Sequence, residues 1–193
     1  MYKILVSDKL GAAALERLKQ HDDMSVDVKT GMSKEQLLEV IPEYDALIVR
    51  SGTQVTADVL AAGKKLRVVG RAGVGVDNID VKAATMSGVV VMNTPGANSM
   101  ATAEQTLALM LAVSRNIPQA HASLKAGEWR RSDFVGVQLH HKVLGIVGFG
   151  RVGKLVAERA KAFGMDVLVF DPLALEETAR EMGVMLVEMD ELL

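Results

Sequence analysis

The chain has 193 residues, 49% of them hydrophobic, and a formal net charge of −2. That length accommodates one large domain or two small ones, and the lack of a basic excess argues against nucleic acid as a partner. No cysteine is present, which excludes disulfides, thiol chemistry and a cysteine-ligated metal.

The chain opens on Met1-Tyr2-Lys3-Ile4-Leu5-Val6-Ser7-Asp8, an apolar run too short for a signal peptide. Strands are predicted at Ile4–Val6, Val26–Val28, Ala46–Val49, Val68–Val69 and Val89–Val91. Helical patterns lie between them, at Ala12–Gln20, Lys34–Ile41, Ala57–Ala62 and Ile79–Ser87. Several strands are apolar throughout, as parallel strands covered on both faces are. Alternating βα units predict an α/β fold with a doubly wound parallel sheet.

Such sheets bind ligands beyond the carboxyl ends of their strands. Two loops there begin with arginine and contain glycine: Arg50-Ser51-Gly52-Thr53 and Arg71-Ala72-Gly73-Val74-Gly75-Val76-Asp77. Arginine offers a planar fork of donors suited to carboxylate or phosphate, and glycine N–H groups can form an anion nest. A small anionic substrate is expected at this edge, with a structural ion pair as the plainer alternative for either arginine.

Asn93-Thr94-Pro95-Gly96-Ala97-Asn98 is turn punctuation, and we place a domain boundary there, giving residues 1–94 and 95–193. A helix is expected from Ser99 to about Asn116, nearly apolar over Leu107–Val113. It is either covered by a second domain or subunit, or buried within its own domain. No run reaches the length of a membrane span, so a soluble cytoplasmic protein with no membrane partner is expected. Pro118 interrupts before a short helix over Gln119–Ala126. Arg130 and Arg131 follow beside Trp129, the single tryptophan. By spacing alone this pair reads as a solvated basic turn slightly more readily than as an anion contact.

The most informative stretch is Val143-Leu144-Gly145-Ile146-Val147-Gly148-Phe149-Gly150-Arg151-Val152-Gly153. A short apolar strand runs into G-x-G-x-x-G. An amphipathic helix follows on Val152, Leu155, Val156, Ala160 and Phe163, and Gly164 stands at its end. A second strand, Val167–Phe170, ends in Asp171, close to the roughly 20-residue spacing of a ribose-binding acid. Gly148 permits the tight turn, Gly150 keeps side-chain bulk away from a pyrophosphate, and Gly153 lets helix and strand approach. The N–H groups of Arg151 and Val152 lie at the positive helix end. Asp171 suits the ribose hydroxyls and repels a 2′-phosphate, so NAD is the expected cofactor. The order strand, glycines, helix, strand, acid makes the motif specific. Beyond it, a helix is expected over Leu173–Met182, a strand over Val184–Val187, and a further helix from Met189.

These stretches together, with Ala103-Glu104 and Leu124-Lys125-Ala126-Gly127-Glu128-Trp129, resemble the D-isomer-specific 2-hydroxyacid dehydrogenase family over essentially the whole chain. The resemblance implies a flavodoxin-like substrate domain followed by the first part of a Rossmann NAD-binding domain. It implies NAD-dependent oxidation of a small phosphorylated 2-hydroxy acid, with glyoxylate-, hydroxypyruvate- or lactate-type substrates as the alternative. A non-catalytic NAD sensor or an assembly fragment is the rival class. Carried over by position, Arg50, Ser51, Gly73 and Val74 hold the substrate carboxylate, and Val74 offers only its backbone N–H. Asn98 lies near hinge and substrate, and Arg130 or Arg131 approaches a substrate phosphate. Gly148, Gly150, Arg151, Val152, Gly153 and Asp171 bind NAD. A homo-oligomer paired through the Ser99 helix is implied.

Oxidising a secondary alcohol needs a base for the hydroxyl proton, a cation for the developing carbonyl, and an acid that tunes the base. The family draws its histidine, arginine and glutamate from beyond the stretch matched here, so no catalytic residue is assigned. His21, His121, His140 and His141 are the four histidines. The last two precede a five-residue strand whose length puts them ~15 Å from the glycine turn. The chain therefore reads as an amino-terminal portion, with an open sheet edge expected to pair with another copy or rearrange, and with weak NAD binding on its own.

Overall fold

The computed structural model describes residues 1–193 as two compact units, Met1–Ala97 and Asn98–Leu193.

Unit 1 contains β1 (Tyr2–Val6), α1 (Ala12–Lys19), β2 (Met24–Val28), α2 (Lys34–Val40), β3 (Ala46–Val49), α3 (Ala57–Ala62), β4 (Val68–Arg71), α4 (Val81–Met86) and β5 (Val90–Asn93). The strands form one sheet in the order β2-β1-β3-β4-β5, parallel at every pairing. This is the flavodoxin-like order, whose switch point lies between β1 and β3. Leu5, Leu47, Val49 and Val69 on the central strands are buried, and Leu37, Val59, Leu60 and Ala84 from the helices pack with them. Burying each large apolar side chain stabilises by roughly 1.5–3 kcal/mol. The helices start where side chains cap them. Ser33 and Gln36 form a reciprocal capping box on α2. The Asp80 carboxylate accepts the Ala83 N–H at 2.9 Å, which sets the start of α4 at Val81, two residues beyond the Ile79 expected from periodicity.

Unit 2 contains α5 (Ser99–Ser114), α6 (Ile117–Lys125), a 3-10 turn at Arg131–Phe134, β6 (Val143–Val147), α7 (Arg151–Ala162), β7 (Asp166–Phe170), α8 (Glu176–Met182), β8 (Met185–Leu186) and α9 (Met189–Leu192). Its sheet has the order β6-β7-β8, also parallel, with β6 paired on one side only. Val156, Ala157 and Ala160 of α7 pack with Ile146, Val167 and Val169 of the sheet and with Ala103 and Leu107 of α5. Leu109 and Val113, at the apolar centre of α5, remain exposed. That helix is therefore covered along one stripe within the unit and open along another. Gly164, at φ +74°, ends α7, and the Met165 N–H returns to the Ala160 carbonyl at 3.2 Å, the wrap that closes a helix on a left-handed residue.

Two expectations need correcting. Pro118 does not interrupt; it sits in the first turn of α6, where no N–H is required. The break falls instead at Asn116, which adopts φ 51° between α5 and α6. The helix expected from Leu173 starts only after Leu175. The Asp171 carboxylate accepts the Leu173 N–H at 2.8 Å and the Ala174 N–H returns to the Asp171 carbonyl at 3.1 Å, a local turn that competes with helix.

Candidate functional site

In unit 2 the glycine turn leaves β6 at its carboxyl end. Gly148 has φ +95°, a conformation that side-chain-bearing residues avoid. Its N–H is bonded to the Phe170 carbonyl at 2.8 Å, which ties the turn to β7. A Cβ at Gly153 would lie 2.2 Å from the Gly148 carbonyl oxygen and 3.5 Å from Ile146 Cγ2, so helix and strand meet only because Gly153 has no side chain. At Gly150 a Cβ would meet nothing within 4 Å; the space in front of it is open. Gly150 caps α7, and the first bond onto it is from Lys154 N at 3.1 Å. The N–H groups of Arg151, Val152 and Gly153 thus lack intrahelical acceptors, as at any helix start. Open space, free donors and the positive helix end together fit a pyrophosphate.

Asp171 lies beside this turn. One carboxylate oxygen accepts the Phe149 N–H at 2.6 Å and the other the Leu173 N–H at 2.8 Å. These two bonds, aided by the charge of Lys154, hold its carboxyl below the ordinary carboxylate range. The acid is anchored, ionised and still half-exposed, with lone pairs left on both oxygens. A cavity of about 600 Å³ opens next to it, bounded by Phe170, Asp171, Pro172, Leu186 and Glu188. His140 and His141 lie at the opposite, amino end of β6, where the His141 N–H is bonded to the Gly164 carbonyl at 2.9 Å.

In unit 1 the loops after β3 and β4 meet at one edge of the sheet. Arg71 Nε donates to the Arg50 carbonyl at 3.3 Å. The remainder of the Arg71 guanidinium pairs with Asp77 at 2.7 Å and is largely buried. Gly75 permits this closure, since a Cβ there would lie 2.8 Å from both partners. Arg71 therefore builds its own loop, and the expectation of two free arginines reduces to one: Arg50 is exposed and reaches only the Lys9 carbonyl, at 3.3 Å. Ser51 is exposed at the tip of its turn. The Gly73 N–H closes a tight turn onto the Arg71 carbonyl at 2.9 Å, and its carbonyl takes the Thr94 N–H. The Val74 carbonyl accepts from Asn93 at 2.6 Å, and its N–H has no acceptor within the chain.

Two residues that the sequence did not single out hold this edge together. The Asp8 carboxylate, just past β1, accepts the N–H groups of Arg50, Gly52 and Thr53 at 2.6, 3.2 and 3.0 Å. Asn78 donates its amide to the carbonyls of Arg50 and Thr53 at 2.7 and 2.6 Å. The one available signal for Asp8 was its place at the carboxyl end of a strand beside the switch point.

The remaining expected site residues lie in unit 2. Asn98 precedes α5, its side chain exposed and making no cap. Arg130 is bound to Asp133 at 2.7 Å and to Glu128 at 3.4 Å. Arg131, its exposed neighbour, makes no ion pair, so it is the freer of the two to meet an anion.

The model of the family "D-isomer specific 2-hydroxyacid dehydrogenase, catalytic domain" matches residues 4–189. The chain belongs to this family. It is 54% identical over 188 residues to D-3-phosphoglycerate dehydrogenase of Methanocaldococcus jannaschii, covering 97% of this chain and 36% of that protein. It is 45% identical over 190 residues to D-3-phosphoglycerate dehydrogenase of Homo sapiens, covering 98% and 36% respectively. The chain thus spans about a third of the length of these curated relatives. Among solved structures it resembles an NAD-binding D-isomer specific 2-hydroxyacid dehydrogenase from Polaromonas, with a TM-score of 0.89 at 27% identity over 100% of this chain and 62% of that one. It also resembles a glyoxylate reductase from Paecilomyes thermophila, with a TM-score of 0.85 at 29% identity over 100% and 62%. In family terms the fold is a parallel-sheet unit followed by Rossmann-type βαβ structure, and no helix is long and apolar enough to cross a membrane.

Proposed function

We propose that the chain forms the substrate-carboxylate and NAD-binding portions of an enzyme that oxidises D-3-phosphoglycerate to 3-phosphohydroxypyruvate, a reaction that feeds serine biosynthesis. The observation that carries the dehydrogenase reading is the turn at Gly148–Gly153, where open space at Gly150 faces free N–H groups at the start of α7. The phosphoglycerate assignment rests on relatives bearing that name at 45–54% identity.

When bound, NAD accepts the hydride from the substrate carbon. The residues of this chain do the rest of the holding. The N–H groups of Arg151, Val152 and Gly153 receive the pyrophosphate, and Asp171 accepts from the adenosine ribose hydroxyls. The Asp171 charge repels a 2′-phosphate, so NADP binds less well. In unit 1, Arg50 and the N–H groups at Ser51 and Val74 hold the carboxylate of the acid, and Gly73 lets the substrate approach the backbone. Asn98 orients the substrate, and Arg131 with Arg130 supplies positive charge for a phosphate.

The test is NAD reduction by the protein bearing this chain, with D-3-phosphoglycerate, D-lactate and glycolate compared. Turnover with D-3-phosphoglycerate at a kcat/KM at least tenfold above the others is expected. Preference for glycolate or D-lactate would assign it to another branch of the family, and NAD binding without turnover of any hydroxy acid would favour a sensor.

A further inference from the structure

We infer that Asp8 and Asn78 are positioning residues for the substrate anion, acting through the Arg50–Thr53 turn. The inference rests on the assignment of that turn to carboxylate binding.

The turn is gripped from both of its hydrogen-bonding sides. Three N–H groups, of Arg50, Gly52 and Thr53, converge on a single Asp8 oxygen at 2.6–3.2 Å. The Thr53 hydroxyl donates to the other oxygen at 3.0 Å, and Ser7 Oγ lies 2.9 Å from Thr53 Oγ1. On the carbonyl side, Asn78 Nδ2 donates to Arg50 and Thr53, and Arg71 Nε adds a third bond, to Arg50. With those donors engaged, Ser51 is the one residue of the turn whose N–H has no acceptor in the chain.

Two features argue for function beyond routine turn satisfaction. Asn78 is buried, and its Oδ1 has no partner. An unsatisfied buried acceptor is unfavourable, yet the amide cannot flip to relieve it, because both Nδ2 bonds end on carbonyls. The residue is held for its donors. Asp8 is a carboxylate placed directly beneath a proposed anion site, where like charge opposes binding. Such a charge is useful there only if ordering the turn outweighs the repulsion.

That opposition gives the test an unambiguous sign. Asp8→Asn removes the like charge, and a bystander role predicts unchanged or tighter binding of the anion. A positioning role predicts weaker binding. The measurement is an amide NMR titration of the 193-residue chain with D-3-phosphoglycerate, read at Ser51 and Val74. The dissociation constant is expected to rise at least tenfold in Asp8→Asn and also in Asn78→Ala, which leaves the Asp8 charge in place. Amide signals of the Gly148–Gly153 turn serve as the control that unit 2 is intact. If Asp8→Asn fails to fold, Thr53→Val removes one hydroxyl at constant shape and is expected to weaken binding about threefold. Saturable shifts in the wild-type chain with wild-type or tighter binding in the variants overturn the positioning role alone. Absence of any shift at Ser51 and Val74 in the wild type removes the carboxylate assignment itself, and the positioning role with it.

Discussion

Asp171 Oδ2 accepts the Phe149 N–H at 2.6 Å, so the acid at the end of β7 is bonded to the glycine turn at the end of β6. The bond makes one residue serve two purposes, shaping the turn and presenting a charge beside it. Asp171→Ala is expected to weaken NAD binding roughly 10- to 100-fold, the scale of a hydrogen bond to a charged group. It is also expected to shrink the preference for NAD over NADP. Parallel titrations of both nucleotides, with amide signals of Arg151–Gly153 as the readout, check both effects.

Gly150 and Gly153 stand three positions apart in one motif and are expected to respond in opposite ways. A Cβ at Gly153 would run into the Gly148 carbonyl at 2.2 Å, whereas one at Gly150 meets nothing within 4 Å. Gly153→Ala is expected to destabilise by ~1–3 kcal/mol through overpacking. Gly150→Ala is expected to leave the melting temperature unchanged and to lose NAD binding. Thermal unfolding beside nucleotide titration separates the two.

Asp8 makes stability depend on pH. Burial works to raise its carboxyl, but hydrogen bonds from Arg50, Thr53 and Gly52 prevail and hold it below its ordinary value of 3.8. A carboxyl depressed in the fold stabilises it fully above the unfolded value near ~3.9, and that contribution is lost as pH falls through the lower folded value. Wild type is therefore expected to exceed Asp8→Asn in stability at neutral pH, with the gap closing below about pH 4. Urea unfolding across an acid pH series measures it.

The exposed stripe of α5 bears on the proposed homo-oligomer. Val113 is 77% exposed and Leu109 56%, on a helix whose other face packs against α7. Leu109→Glu with Val113→Glu is expected to leave the fold intact and to lower the assembly mass. Sedimentation of wild type and variant checks this.

Where hydrophobic periodicity decides, the sequence was readable. β1, β3, β6 and β7 are short apolar runs bounded by turn residues, and the glycine turn announced itself because each glycine answers a separate steric demand. What stayed hidden was how polar side chains are shared between loops distant in sequence. Arg71 resembles a ligand-binding arginine until Asp77 is seen closing on it, across a gap that Gly75 keeps clear. Asp8 and Asn78 carry no local signature, because their partners at Arg50–Thr53 become neighbours only when β1, β3 and β4 align. Pro118 misled because a proline reads equally as a break and as a first-turn residue, and the left-handed backbone of Asn116 decides between them.

The most direct test of the cofactor assignment is amide NMR of the 193-residue chain titrated with NAD and, separately, with NADP. Saturable shifts centred on Phe149, Arg151, Val152, Gly153 and Asp171, with NADP at least tenfold weaker, are the predicted result. Shifts confined to other parts of the chain, or none up to saturating NAD, would contradict it.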